Sequence, residues 1–411
     1  MRILIVTHYF PPEIGAPQAR LSEMGRAWRR AGADVTVLTA FPNHPTGIIP
    51  PEYRGERFRV EEIDGMRVIR TAVYATPNRG ILKKTLGHLS FMASGFLQGV
   101  GPVGRPDVIV ASSPTFFSVF TAWALARVKR VPFVMEVRDL WPGIFVELGV
   151  LKNRLAIRIL EALELGLYRR AARVVTVTDG FADDIAARGI PREKLVTITN
   201  GVDLGAHLPG PPDEAVRREI GAGEGVTVAL YIGAHGISHA LHRIVDAAEL
   251  LRDRRDVRFA LVGEGAEKAR IEELAREKRL PNLTLLPGQP RERVADFYRA
   301  ADIGLVPLRD VPLFDTFIPS KMFEIMGCAR PIVGSVRGEA RRILDRSGAA
   351  IVVDPEDAAG IAGAVVELAA DPARRAAMGA AGRAFAAEHY DRERLAARYL
   401  DLLREVVDER R

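Results

Sequence analysis

Short apolar runs alternate with longer stretches of helical periodicity along most of the chain. Ile3 to Thr7 is the first run, and a Pro-rich loop through Tyr9, Pro11, Pro12 and Gly15 follows it. From about Pro17 to Ala31, the residues Leu21, Met24 and Trp28 recur at i, i+3 and i+7, which predicts a helix with one apolar face; Gly32 ends it. Further runs at Val35–Thr39, Val108–Ala111, Phe133–Val137 and Val174–Val177 predict strands. They are continuous rather than alternating, as suits parallel strands covered on both faces. A second series comprises Val226–Ile232, Phe259–Val262, Leu283–Leu286, Ile303–Val306, Ile332–Val333 and Ile351–Val353, with helical stretches between its members. Alternation on both sides of a break predicts two doubly wound α/β domains.

The break is expected at the Pro/Gly cluster His207-Leu208-Pro209-Gly210-Pro211-Pro212, which can continue neither element. This gives an N-terminal domain over 1–207 and a C-terminal domain over 208–390. An amphipathic helix over 391–411 is expected to pack back toward the first domain. Ile81 to Val100 departs from plain alternation: Leu82, Leu86, Leu89, Phe96 and Leu97 follow Lys83-Lys84. It reads either as an interfacial helix on an anionic membrane or as a helix covering the sheet. Gly87, Gly95 and Gly99 weaken a helix there.

Composition narrows the classes. A chain of 411 residues, 48% of them hydrophobic, is too long for one ordinary core. One cysteine, Cys328, excludes a disulfide framework and favours a reducing compartment. Met1-Arg2 runs into an apolar stretch too short for a signal-peptide core. No run approaches the roughly 18 apolar residues of a membrane span. The net charge of +6, with 50 arginines beside 8 lysines, favours an anionic partner or reflects the base composition of the coding sequence. No nucleic-acid motif or aromatic platform accompanies it.

Ligands of open α/β sheets bind beyond the carboxyl ends of strands, and several loops there carry chemistry. His8 to Gly15 lacks the three glycines of a dinucleotide fingerprint, which counts against a dehydrogenase. Gly15 still allows close backbone approach. Gly233-Ala234-His235-Gly236 leaves room for backbone amides to face an anion, with His235 as a possible donor. Gly263-Glu264-Gly265 suits the wall of a flat ring. Ile318-Pro319-Ser320-Lys321 leads to a helix expected from Lys321 to about Met326, with Ser320 as N-cap. Lys321 opposes the helix dipole, a cost that makes sense if an anion sits there. Glu324 lies one turn on, within reach of a ribose. In the first half, Arg138 and Asp139 directly follow a buried strand and precede Trp141; charges so placed need solvent or a partner. No Asp-x-Asp and no Cys/His cluster occurs, so no metal is expected, and leaving-group charge falls to Lys321 and amides.

Taken together these stretches resemble the large glycosyltransferase family 4 type of retaining GT-B enzymes. The resemblance rests on His8-Tyr9-Phe10-Pro11-Pro12-Glu13 with Gly15, Thr199-Asn200-Gly201-Val202-Asp203, Leu261-Val262-Gly263-Glu264-Gly265, Ala301-Asp302-Ile303-Gly304-Leu305-Val306-Pro307 and Ser320-Lys321-Met322-Phe323-Glu324. It covers nearly the whole chain and implies GT-B architecture, two Rossmann-like domains facing across a cleft. Val137-Arg138-Asp139-Leu140-Trp141-Pro142 and Ile318-Pro319-Ser320-Lys321 look most like bacterial O-antigen and capsule transferases of N-acetyl-L-fucosamine. The resemblance implies a UDP-sugar co-substrate and no other cofactor. It implies a glycan or lipid-linked acceptor, retention of configuration, and work at the cytoplasmic face of the membrane, in peripheral contact with it.

Carried onto this sequence, the donor would be held by Gly15, Gly233, His235, Gly236, Gly263, Gly265, Ile318, Pro319, Ser320, Lys321 and Glu324. The acceptor would meet His8, Glu13, Asp139 and Trp141, with Lys321, Glu324, Arg138 and Asp139 serving catalysis. Three departures stand out. Thr316 occupies the place of the family's first glutamate. His235-Gly236-Ile237-Ser238-His239 lacks its phosphate-binding Arg and Lys, and Arg138 stands where many members carry His. A UDP-sugar 2-epimerase of the same fold would convert donor without acceptor. An inactive nucleotide-sugar-binding subunit would bind UDP without turnover.

Overall fold

The computed structural model describes residues 1–13, 16–44, 46–77, 81–113, 115–143, 146 and 151–410, so Gly15 lies outside the described residues. Strands β1 (Arg2–Val6), β2 (Asp34–Ala40), β3 (Phe58–Ile63), β4 (Met66–Thr71), β5 (Val108–Ser112), β6 (Phe133–Val137), β7 (Arg173–Thr176) and β8 (Leu195–Thr197) form one sheet. Its order is β3-β4-β2-β1-β5-β6-β7-β8. Only β3 runs antiparallel among the described strands, pairing with β4. The sequence pattern did not disclose β3, β4 and β8. An available signal for the hairpin was Asp64-Gly65: both residues have positive φ, 51° and 74°, as a two-residue type I′ turn requires.

The second sheet is wholly parallel: β9 (Thr227–Ile232), β10 (Val257–Val262), β11 (Leu283–Leu286), β12 (Ile303–Pro307), β13 (Ile332–Ser335) and β14 (Ala350–Val353). Its order is β11-β10-β9-β12-β13-β14. Both sheets reverse winding direction once in their parallel part, between β1 and β5 and between β9 and β12. Those two switch points are where a doubly wound sheet opens a crevice for ligand.

Backbone proximity divides the chain into Met1–Thr199 with Glu393–Arg411, and Asn200–Arg392. The boundary therefore falls ahead of the Pro/Gly cluster, which belongs to the second unit. Arg330 donates to the Gly210 carbonyl at 3.1 Å, and Arg383 donates to the carbonyls of His207 and Gly327. Those bonds give the cluster's polar backbone fixed partners. The helix Arg392–Asp408 places Leu395, Tyr399, Leu402, Leu403 and Val406 in the first unit's core. Trp28, fully buried there, donates its indole N–H to the Ala396 carbonyl at 2.9 Å and meets Tyr399 edge-on.

The helix Ile81–Gly99 covers the sheet and packs on the helix Phe116–Lys129. Gly87, Phe91, Gly95 and Gly99 form its buried face at four-residue spacing. A Cβ on Gly99 would lie 2.8 Å from Leu38 Cδ2, and one on Gly95 3.2 Å from Thr121 Cγ2. The glycines that lower helix propensity are thus the residues that allow close packing, and packing overrides propensity. On the outer side Leu86 is 52% and Leu97 73% exposed. No helix of the described residues is long and apolar enough to cross a membrane.

Candidate functional site

In the second unit the carboxyl ends of β9 and β10 meet the loop before the helix Lys321–Gly327. Gly233, Gly263 and Gly265 have φ of 144°, 156° and 159°, conformations that glycine adopts at low cost. A Cβ on Gly263 would collide with the Gly233 carbonyl oxygen, and one on Gly265 with the His235 carbonyl. His235 N–H donates to the Glu264 carbonyl at 2.8 Å, which locks the two loops together.

Lys321 reaches over these loops. Its Nζ sits 3.4 Å from the centre of the Tyr231 ring, buried and without a hydrogen-bond partner. Its stem remains partly exposed, so only the ammonium end is sealed. A desolvated cation–π contact returns about 2 kcal/mol, less than the several kcal/mol that desolvating an ion costs. Burial therefore wins and lowers the Lys321 pKa to about 7, with Glu324 pulling weakly the other way. His235 and His239 flank it, and burial followed by nearby cations lowers both; His239 falls to about 3. Both ring nitrogens of His235 are buried and unpartnered. The Lys321 ammonium and the His235 imidazole, held short of their charge and of partners, are ready to receive an anion, while His239 Nδ1 already meets the Ser238 hydroxyl at 3.2 Å.

Glu324 accepts from the Tyr298 hydroxyl at 3.3 Å. Ser320 departs from its expected role: it has helical backbone angles and its hydroxyl caps nothing. The carbonyls of Pro319 and Ser320 instead accept from the N–H groups of Met322 and Phe323. Those two amides are spent within the turn, so the charge for an anion comes from Lys321. Ile318, Pro319 and Gly236 lie half-buried beside the loops. Thr316 donates to the Leu313 carbonyl at 2.8 Å within a short 3-10 turn, Pro312–Thr316.

The first unit gathers a second cluster where β1, β5 and β6 end. His8 packs against His88 at 4.5 Å and Phe91 at 5.0 Å, and Tyr9 lies between His8 and His44. Burial holds all three imidazoles neutral, with His88 lowered to about 4. Glu13 accepts from the backbone N–H groups of Phe10, Asn43 and His44 at 3.1, 2.8 and 2.8 Å. Both carboxylate oxygens are thus occupied by backbone, and Glu13 clamps two loops together. Burial nevertheless raises its pKa to about 7 against those three donors.

Arg138 and Asp139 follow β6 half-buried. Burial lowers Arg138 to about 10 and raises Asp139 to about 6, each opposed by a neighbouring charge. Beneath them Glu136 is fully buried, accepting from Arg20 at 2.8 Å and from the Ser112 hydroxyl at 2.8 Å. The Ser113 hydroxyl accepts from Arg138 N–H at 3.0 Å. Trp141 stacks on Phe116 at 4.1 Å. Sequence reasoning missed Tyr231, Tyr298, His239, His44, His88, Arg20 and Glu136. Each gains its place from a long-range contact, and only Glu136, a charge inside an apolar strand run, carried a local signal.

Known proteins share both the sequence pattern and the fold. Residues 15–201 match the profile of a glycosyl transferase 4-like domain, and residues 226–371 that of glycosyl transferases group 1. The chain is 25% identical over 365 residues to the putative colanic acid biosynthesis glycosyl transferase WcaI of Escherichia coli, covering 87% of this chain and 89% of that protein. It is 28% identical over 398 residues to a D-inositol 3-phosphate glycosyltransferase of Kineococcus radiotolerans, covering 90% and 85%. Sucrose-phosphate synthase from Thermosynechococcus elongatus shares the fold with a TM-score of 0.78 at 20% identity, over 99% of each chain. Anabaena HepE, solved in complex with UDP and glucose, does so with a TM-score of 0.72 at 16% identity, over 98% of each chain. One mainly parallel and one wholly parallel Rossmann-like sheet, the two profiles and these relatives converge: the chain belongs to the GT-B glycosyltransferases of the family 4 type.

Proposed function

We propose that the chain transfers a sugar, an N-acetylated amino sugar in our reading, from UDP to a glycan or lipid-linked acceptor in cell-surface polysaccharide synthesis. The observation that carries the donor assignment is the buried, unpartnered ammonium of Lys321 above the glycine loops. A diphosphate there would restore its charge, and Glu324, steadied by Tyr298, would accept from the ribose hydroxyls. Gly263 and Gly265 leave a flat wall for the base. UDP is favoured by the resemblance to amino-sugar transferases and by HepE, which was solved with UDP.

Acceptor binding is assigned to the first unit, to His8, Asp139 and Trp141. Glu13 positions the His8 loop rather than touching acceptor, and Arg138 with Glu136 and Arg20 sets the charge around Asp139. Transfer with retention follows from the family resemblance: the departing phosphate oxygen takes the acceptor proton on the same face. With Lys321 neutralising the diphosphate, donor binding needs no metal. Peripheral contact with an anionic membrane face is proposed through the exposed Lys83, Lys84, Leu86 and Leu97 of the helix Ile81–Gly99.

Calorimetric titration of UDP, GDP and ADP without metal tests the donor site. UDP is expected to bind the wild type, and Glu324→Ala to lose about 1–3 kcal/mol of that binding, as for a buried polar contact removed. Equal binding by Glu324→Ala would overturn the assignment of the ribose contact.

A further inference from the structure

A cavity of about 740 Å³ opens in the first unit at the amino ends of β6 and β7. Asp139 and Trp141 follow the carboxyl end of β6. The groove is therefore separated from the proposed acceptor cluster by the strand's length, roughly 13 Å at about 3.3 Å per residue. Arg127, Arg130, Arg170, Arg173 and Arg410 line it around the half-buried Trp123, with Glu409 as the lone carboxylate among the lining residues. Glu409 is paired to Arg173, and Arg170 lies over the Trp123 ring at 5.8 Å. Arg127, Arg130 and Arg410 are exposed and have no side-chain partner among the described residues. Five guanidinium groups against one carboxylate repel one another, and the sequence keeps them in one concavity.

Two chemistries converge there. Guanidinium forks match carboxylate or phosphate groups bidentately. A tryptophan face offers a flat apolar platform of the kind a ring can stack on. We infer that this groove is an accessory binding site for an acidic saccharide, a chain segment bearing two or more carboxylate or phosphate groups. The choice of a saccharide over another polyanion rests on the proposed role in glycan synthesis. In that role the groove would hold a growing or finished chain away from the chemistry.

Titrations use the full chain with hexagalacturonate, neutral maltohexaose, inorganic tripolyphosphate and phosphatidylglycerol vesicles. Hexagalacturonate is expected to bind the wild type and maltohexaose not. Arg127→Glu/Arg130→Glu should weaken hexagalacturonate at least tenfold while UDP affinity stays unchanged, and Trp123→Ala should weaken it with the arginines intact. Should the double glutamate variant fail to fold by circular dichroism, Arg127→Gln/Arg130→Gln replaces it. Equal binding by the charge variants overturns the site. Tripolyphosphate binding as tight as hexagalacturonate, or vesicle binding without hexagalacturonate binding, overturns the saccharide assignment. Loss of UDP binding in the wild type would sink the donor reading and leave the groove result standing.

Discussion

Lys321 carries opposite consequences for folding and for binding. Its ammonium is sealed over Tyr231 without a hydrogen-bond partner and titrates near 7, whereas an unfolded lysine titrates at about 10.4. The unfolded chain therefore binds more protons between those values, and stability rises with pH across that window. A diphosphate reverses the balance by favouring the charged form. UDP binding at pH 7.5 is expected to take up protons, seen as a dependence of the calorimetric heat on the ionisation enthalpy of the buffer. Lys321→Met keeps the packing and removes the buried charge. It should melt a few degrees higher than wild type in the absence of nucleotide and bind UDP at least tenfold more weakly. A variant that melts lower, or that still binds UDP as tightly, would contradict this account. Lys321 and Glu324 were legible from their spacing in the sequence. Tyr231 and Tyr298, which seat and steady them, were not, because strand and helix bring them in from 90 and 26 positions away.

At the scale of elements, the glycine loops are tightly constrained backbone. Gly263 has both a positive φ and a carbonyl where a Cβ would go. Gly263→Ala is expected to lower stability by about 1–3 kcal/mol through backbone strain, read as a shift of the denaturation midpoint in urea. Most parallel strands were legible as continuous apolar runs because both their faces are covered. Strand β3 was not read that way because its alternation, with Val60 and Phe58 partly exposed, resembles surface sequence, and β4 because Arg67 and Arg70 interrupt its apolar run although Arg70 is buried. The helix Ile81–Gly99 shows the converse. Its glycines argued against a helix when counted one at a time, and only the contact with Leu38 and Thr121 reveals what they are for.

At the scale of the molecule, charge and surface set the expected partners. With a net charge of +6, the protein should float with phosphatidylglycerol liposomes at low salt and lose that binding as salt rises. Lys83→Glu/Lys84→Glu should remove it; a wild type that stays at the bottom of the gradient would refute membrane contact. The two-domain pattern was legible from strand and helix alternation, but the boundary was placed by the Pro/Gly cluster. That cluster is packed by arginines far away in sequence, which no local composition signals. Deleting residues 392–411 removes Tyr399 and its neighbours from around Trp28. Tryptophan emission should shift to the red and the first unit should lose its cooperative transition, while the second unit still melts.

That last helix also orders events during synthesis. Domains generally fold as they leave the ribosome, the N-terminal one first. Here residues 200–392 are complete before residues 393–411 are made, so the second unit has every residue it needs while the first still lacks part of its core. Residues 1–199 must wait until 393–411 are made, with the apolar face around Trp28 uncovered through the interval. The protein thus inverts the usual order of assembly, and the span between first and last contact is the stretch in which a nascent chain most needs a chaperone.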